Sequence, residues 1–143
     1  MTINEIENEI IEEFEEFEDW LEKYEFLIEL SNDLPVIADQ YKQKGNLIEG
    51  CQSRVWLHAE MNDAGKVQFT ADSDAIITRG IIALLIRVMN KQTPAEIKNC
   101  KLQFIDKIGL SQNLSPTRSN GLLAMIKQMK MYALAFEQLN KNK

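Results

Sequence analysis

The sequence predicts an α+β fold in which helices at both ends of the chain cover a small antiparallel sheet. Three observations support this fold class. Apolar residues recur every three or four positions near the N-terminus, alternate with polar residues in the middle of the chain, and return to helical spacing towards the C-terminus. Helices grouped before and after a run of strands are typical of α+β proteins rather than of alternating α/β folds.

The first 35 residues predict two helices. Thr2 and Glu5 fit a capping box, in which each side chain accepts a hydrogen bond from the other residue's backbone N–H. Asp19 can cap a second helix. Pro35 disfavours helical geometry at the residue before it, so we expect the second helix to end there.

The middle of the chain predicts a three-stranded antiparallel sheet. Residues 47–49 form a short first strand, and residues 54–61 then alternate between apolar and polar side chains, which is the period of a half-buried strand. A hairpin loop at 62–65 leads into a return strand at 66–71, and Gly65 suits the left-handed position of that loop. One face of such a sheet needs to be covered by helices.

The remaining residues predict further helices. Ser73 is expected to cap the first of them, with Asp74 in its first turn at the positive end of the helix dipole. Residues 93–96 form a second capping pattern, with a proline in the first turn. A last helix begins at residues 115–116. Its buried stripe is expected to comprise Leu122, Met125, Ile126, Met129, Ala133 and Phe136.

The size and the charge of the chain exclude several classes of function. At 143 residues and 16.5 kDa the chain is expected to be a single domain over 1–143, and its longest apolar run is far shorter than the roughly 20 residues of a membrane span. The acidic start is unlike a signal or transit peptide, so we expect a cytoplasmic protein. Residues 1–33 carry a formal charge of −12 and the remainder +6. An acidic leading segment argues against nucleic-acid binding; it is either a solvated helix face or a surface that steers a basic partner.

Cys51 is the candidate functional residue. It lies between Gly50 and the polar residues Gln52 and Ser53, directly before a predicted strand, whereas a structural cysteine usually has apolar neighbours on both sides. Glycine lets the backbone turn at no steric cost, so this thiol can sit at a loop tip. Because a thiolate is a good nucleophile and a good leaving group, such a cysteine can accept a sulfur atom and pass it on.

Other uses of a cysteine have little support. Two cysteines and one histidine, without a Cys-x-x-Cys pattern, cannot build an ordinary closed zinc or iron–sulfur site, so no metal is expected. His58 lies seven residues beyond Cys51 on the strand, roughly 23 Å away, which argues against a Cys–His catalytic pair. Arg118 lies at the start of the last helix, where a cation and a helix N-terminus would both favour a thiolate. We expect it near the sulfur; the alternative is a plain surface arginine.

Three short motifs then occur in order along the chain. They are Gly-Cys-Gln-Ser at 50–53 with Val-Trp at 55–56, Ala-Asp-Ser-Asp-Ala at 71–75 with Arg-Gly at 79–80, and Leu-Ser-Pro-Thr-Arg-Ser-Asn-Gly-Leu at 114–122. This set resembles the SufE family, the sulfur-acceptor partners of cysteine desulfurases in iron–sulfur cluster assembly. Each motif is weakly specific by itself, but their order and spacing in a chain of this length are specific.

The resemblance implies a function for Cys51. In the family the matching cysteine takes a persulfide sulfur from a cysteine desulfurase (SufS- or CsdA-like), and the carrier stimulates that enzyme and passes the sulfur to an iron–sulfur scaffold complex. Pyridoxal phosphate then belongs to the desulfurase, and this chain needs no cofactor and is a sulfur-transfer protein rather than a stand-alone enzyme. Arg118 matches an arginine close to the family's active loop, and Asp74 lies where the family shields that loop. The implied fold is the α+β fold shared with U-type scaffold proteins.

Two other functions stay open. The chain can be a non-catalytic interaction or regulatory adaptor with an incidental thiol, or a thiol-redox enzyme that uses Cys51 with Cys100. A persulfide is lost to solvent thiols or oxidants when it is permanently exposed. A carrier is therefore expected to tuck Cys51 into an apolar pocket and release it on docking, with Gly45 and Gly50 supplying flexibility.

Overall fold

A computed structural model describes residues 1–141 of the chain, so the last two residues of the predicted single domain lie outside the described part. The α+β class is confirmed. The helices are α1 (Ile3–Glu15), α2 (Trp20–Leu30), α3 (Ile76–Met89), α4 (Pro94–Asn99), α5 (Phe104–Lys107) and α6 (Pro116–Lys141), and the strands are β1 (Val55–Met61) and β2 (Val67–Ser73). No helix within residues 1–141 combines the length and the apolar composition needed to cross a membrane.

The N-terminal helices begin where the sequence predicts. Thr2 Oγ1 accepts a hydrogen bond from Glu5 N at 3.1 Å and Glu5 Oε1 accepts one from Thr2 N at 3.1 Å, which confirms the capping box. Asp19 Oδ1 accepts from Glu22 N at 2.9 Å and caps α2. Both helices carry exposed glutamates, which are Glu5, Glu9, Glu12, Glu15, Glu22, Glu25 and Glu29.

Within the described residues the sheet has two strands, so the prediction of a third strand at residues 47–49 is wrong. β1 and β2 pair antiparallel from Val55↔Ser73 to Met61↔Val67. Leu47 forms only an isolated bridge to Trp56, and Ile48 N donates to the Val55 carbonyl at 2.8 Å. A 3₁₀ turn (Lys44–Asn46) precedes this segment and the Cys51 loop follows it, so too few residues remain extended to form a strand.

Connecting segments cover the other edge of β2. The Ala71 N–H donates to the Pro35 carbonyl at 3.0 Å, and the Ile37 N–H donates to the Ala71 carbonyl at 3.1 Å. Further along the strand, the Val67 N–H donates to the Gln92 carbonyl at 2.9 Å. Main-chain hydrogen bonds therefore satisfy backbone groups on an edge that would otherwise face solvent.

Helix α3 is the centre of the molecule, with residues 80–86 all buried. Helix α2 crosses it at Gly80, where a Cβ atom would lie 2.3 Å from the Leu27 carbonyl oxygen, so only glycine permits this approach. Helix α6 packs against α3, α4 and β1. In its predicted stripe, Leu122, Met125, Met129 and Ala133 are buried, and Ile126 and Phe136 are half-buried.

The start of α3 differs from the prediction. The helix begins at Ile76, with Ala75 at the cap position and no side-chain cap, so Ser73 does not cap it and Asp74 is not in its first turn. The Ser73 hydroxyl instead donates to the Arg54 carbonyl at 2.7 Å and accepts from Ala75 N at 3.2 Å. The Ser73 hydroxyl thus binds a carbonyl 19 residues away in the sequence instead of capping the helix.

Candidate functional site

Cys51 lies in a short loop between residues 48 and 55. The Ile48 N–H donates to the Val55 carbonyl at 2.8 Å and closes the base of this loop. Gly50 adopts φ +93°, a conformation that side-chain-bearing residues rarely take. A Cβ on Gly50 would lie 3.4 Å from the Ala124 side chain, which shows that the loop packs against α6.

The turn between β2 and α3 holds the outgoing end of the loop. Asp74 Oδ1 accepts a hydrogen bond from Arg54 N at 3.1 Å, and Asp74 N donates to the Arg54 carbonyl at 3.3 Å. The Ser73 hydroxyl donates to that same carbonyl at 2.7 Å. Both backbone polar groups of Arg54 are therefore satisfied by two neighbouring residues. Sequence reasoning missed this role of Ser73, because it assigned the hydroxyl to a helix cap.

The Cys51 thiol faces α6. The side chain is half-buried, and Sγ lies 3.6 Å from the Gly121 carbonyl oxygen, to which the thiol donates a weak hydrogen bond. Burial raises the pKa of the Cys51 thiol, because desolvation disfavours the thiolate. At rest and at neutral pH the sulfur is therefore protonated and a poor nucleophile.

A small cleft of about 80 Å³ opens beside the sulfur. Besides Cys51, Gly121 and Met125, its walls are formed by Gln52, Ser53, Thr78, Ser115, Thr117 and Arg118. Most of these residues are polar, where an apolar pocket was expected. Arg118 lines the same cleft as Cys51.

Arg118 lies in the first turn of α6. Its side chain is exposed, and its backbone N–H donates to the Ser115 hydroxyl at 3.2 Å, a hydrogen bond characteristic of a helix N-terminus. Burial nevertheless determines the direction in which the pKa of Cys51 moves, and the guanidinium does not reverse it. Arg118 thus lines the cleft without lowering the pKa of the thiol.

A family model described as "SufE: Fe-S metabolism associated domain" matches residues 8–133. The chain belongs to the SufE family. Membership supports a role in iron–sulfur metabolism. The fold is similar to the solution structure of a hypothetical protein from Thermus thermophilus, with a TM-score of 0.77 over 93% of this chain and 96% of that chain. At 18% identity this likeness shows the fold alone.

The residues predicted for the site of this SufE-family chain fall into two groups. Gly50, Gln52, Ser53 and Arg118 lie in the Cys51 loop or line its cleft. Asp74 does not line the cleft; it is exposed and acts at the base of the loop, through the Arg54 backbone. Its contribution is therefore to hold the loop in place rather than to contact the sulfur.

Helix α2 supports the turn that precedes the cleft-lining start of α6, a role that sequence reasoning missed. The Tyr24 hydroxyl donates to the Asn113 carbonyl, and the Asn113 amide donates to the Gly109 carbonyl at 2.8 Å. The Trp20 ring lies 3.7 Å from the position that a Cβ of Gly109 would take. The turn that leads into α6, and hence to Arg118, thus rests on two aromatic side chains from the N-terminal part of the SufE-like domain.

The remaining metal-ligating and nucleophilic side chains lie elsewhere. The His58 ring stacks on Tyr41 at 3.6 Å, and its Nε2 lies 2.9 Å from Glu60 Oε1. Cys100 is a free thiol, as Cys51 is. Within the described residues, no three His, Cys, Asp or Glu side chains are grouped so that they could hold a metal ion.

Proposed function

We propose that this SufE-family chain is a sulfur acceptor. It takes a persulfide sulfur from a cysteine desulfurase onto Cys51, stimulates that enzyme, and passes the sulfur to an iron–sulfur cluster scaffold. The observation that carries the proposal is the position of Cys51: a half-buried thiol on a glycine-containing loop, beside a cleft that also contains an arginine, in a chain of a family associated with Fe–S metabolism.

The transfer is a thiol–persulfide exchange. The Cys51 thiol loses its proton, and the thiolate attacks the outer sulfur of a persulfide on the desulfurase. A new sulfur–sulfur bond forms on Cys51 as the bond in the donor persulfide breaks, and the donor cysteine leaves as a thiolate that takes up a proton. One sulfur atom moves, and there is no net oxidation or reduction.

The resting geometry suits a carrier that reacts only when a partner is present. Since burial raises the pKa of the Cys51 thiol, little thiolate exists while the loop is closed. If the loop moved out of the cleft, the sulfur would return to water and burial would no longer raise its pKa. Arg118 would then favour the anionic thiolate or persulfide near the cleft mouth.

The movement itself requires few residues. Hydrogen bonds fix the loop at Ile48–Val55 and at Arg54, so only residues 49–53 need to change conformation. Gly50, with its positive φ, is the natural pivot of this segment. A short loop that is held at both ends can expose one side chain without disturbing the core.

The test is the intact mass of the protein after incubation with a cysteine desulfurase, its pyridoxal phosphate cofactor and cysteine. We expect the gain of one sulfur atom, removable by a reductant, in the unmodified chain and in the matched control Cys100→Ser. Cys51→Ser should gain none. Sulfur found on Cys100 would contradict the assignment of Cys51 as the acceptor, and desulfurase stimulation retained by Cys51→Ser would favour the adaptor function.

A further inference from the structure

Gly121 is a glycine that the resting structure does not require. It is buried in the second turn of α6, and a glycine inside a helix is less favourable than an alanine. A Cβ at this position would meet only Cys51: it would lie 3.6 Å from Sγ and 4.0 Å from both Cα and Cβ, which are ordinary van der Waals distances. Gly80 of α3 is different, because a Cβ there would lie 2.3 Å from a carbonyl oxygen.

The space left by the missing methyl group lies against the sulfur. The cleft beside Cys51 measures about 80 Å³. By this measure about 10–15 Å³ is enough to hold one water molecule, and a sulfur atom is of similar size. The cleft is therefore large enough to take one added sulfur atom beside Sγ.

We propose that Gly121 keeps room beside Cys51 for the outer sulfur of the persulfide, so that the loaded carrier closes as the empty one does. This inference rests on the proposed function. It makes Gly121 a positioning residue for the loaded form and gives the helix a reason to keep a glycine at this position.

The direction of the new bond supports this role. The outer sulfur replaces the thiol hydrogen at about 2.05 Å from Sγ. It cannot point at the Gly121 carbonyl oxygen, which lies only 3.6 Å from Sγ, and the bare Cα of Gly121 leaves open a direction beside the sulfur that a methyl group would fill. A methyl group already in van der Waals contact with Sγ would leave no gap for another atom on that side.

The inference predicts opposite effects of Gly121→Ala on the two forms. The empty form should fold, melt at a higher temperature and alkylate at Cys51 at the wild-type rate, because the added methyl group fits against the thiol. The loaded form should close poorly, because the site would then be overpacked. Gly45→Ala is the matched control, since Gly45 lies in the Lys44–Asn46 turn, outside the mobile residues 49–53, and a Cβ there would have no neighbour within 4 Å.

The experiment uses chemical loading in a Cys100→Ser background. The Cys51 thiolate attacks a polysulfide ion, which leaves one sulfur atom shorter, and the persulfide is then exposed to cyanide. Cyanide removes the outer sulfur as thiocyanate and restores the thiolate, and intact mass follows the loss. We expect the Gly121→Ala persulfide to lose its sulfur about tenfold faster than the wild-type and Gly45→Ala persulfides.

Two results would overturn the inference. Equal rates of sulfur loss from wild-type and Gly121→Ala persulfides would mean that the glycine provides no room for the added sulfur. Faster alkylation of the empty Gly121→Ala protein would mean that the glycine serves the resting packing instead. Because polysulfide loads the chain without a desulfurase, this result is independent of whether the chain accepts sulfur from that enzyme.

Discussion

Cys51 and Cys100 are similarly buried, but they differ in the hydrogen bonds that hold them in place. Both thiols are half-buried, and burial is the main cause that raises the pKa of each. The Cys100 thiol donates to the Ile97 carbonyl at 3.1 Å, and its own carbonyl accepts from Lys130 Nζ at 2.6 Å. The Cys51 thiol has only a weak contact with Gly121, at the tip of a loop.

The comparison teaches that burial and pKa do not identify a functional thiol in this fold. Cys100 follows the end of α4, a helix that packs against α6, and Lys130 of α6 binds its carbonyl. Exposing Cys51 requires only residues 49–53 to move. The difference lies in the free energy of local opening, which ranges in proteins from nearly zero to the full stability of the fold.

The alkylation rates of the two cysteines in the native protein are expected to show the largest difference between them. Cys51 should react about a hundredfold faster than Cys100, which corresponds to a difference of about 2.7 kcal/mol in opening free energy. Its rate should be insensitive to low urea, whereas the Cys100 rate should rise steeply, because its opening exposes more surface. Mass spectrometry of the alkylated peptides measures both rates; equal rates with equal urea dependence would break the comparison.

Asp74→Ala should produce the next largest effect. The change removes the acceptor of the Arg54 N–H and loosens the base of the loop. A hydrogen bond of about 1 kcal/mol corresponds to roughly fivefold faster alkylation of Cys51, with the Cys100 rate unchanged. Asp63→Ala, at an exposed aspartate of the β-hairpin turn, is the control. If the Cys51 rate does not change, Asp74 does not hold the loop.

The pH dependence of the alkylation rate should show the smallest difference between the two cysteines. Because burial raises the pKa of both thiols, both alkylation midpoints should lie above the ordinary thiol value of about 8.5. The raised pKa of Cys51 also makes the stability of the closed loop depend on pH. Below the ordinary thiol pKa the closed loop is fully stabilised, and this stabilisation is lost as the pH rises through the raised pKa. Amide exchange of residues 50–53 should report the loss, and Cys51→Ser should abolish it.

A midpoint for Cys51 below the ordinary thiol value would contradict this expectation. It would mean that Arg118 and the start of α6 outweigh burial in setting the pKa of the sulfur. The two thiols would then differ in pKa as well as in the hydrogen bonds that hold them in place.

The local features of the fold could be predicted from the sequence. The capping boxes at Thr2–Glu5 and Thr93–Glu96 both form, because each depends on residues three positions apart. The third strand and the Ser73 cap were wrong for the same physical reason. Strand length at residues 47–49 and the partner of the Ser73 hydroxyl are decided by distant segments, which local patterns do not specify.

The site could be predicted in part. The lone cysteine and the helix-start signal located Cys51 and Arg118, which the structure brings to one cleft. Gly121 and Tyr24 could not be identified in this way. Their contacts with Cys51 and Asn113 join residues 70 and 89 positions apart, and a buried helical glycine or a half-buried tyrosine looks ordinary in a sequence.

The acidic faces of α1 and α2 have a consequence beyond their own solvation. A formal charge of −12 on residues 1–33 against +6 on the rest gives the molecule a permanent electric dipole. In the field of another protein a dipole experiences a torque before any atoms touch, so the chain turns a preferred side towards its partner. This torque is screened over about 8 Å at physiological ionic strength. In concentrated salt the protein would therefore collide in random orientations while its fold stays intact.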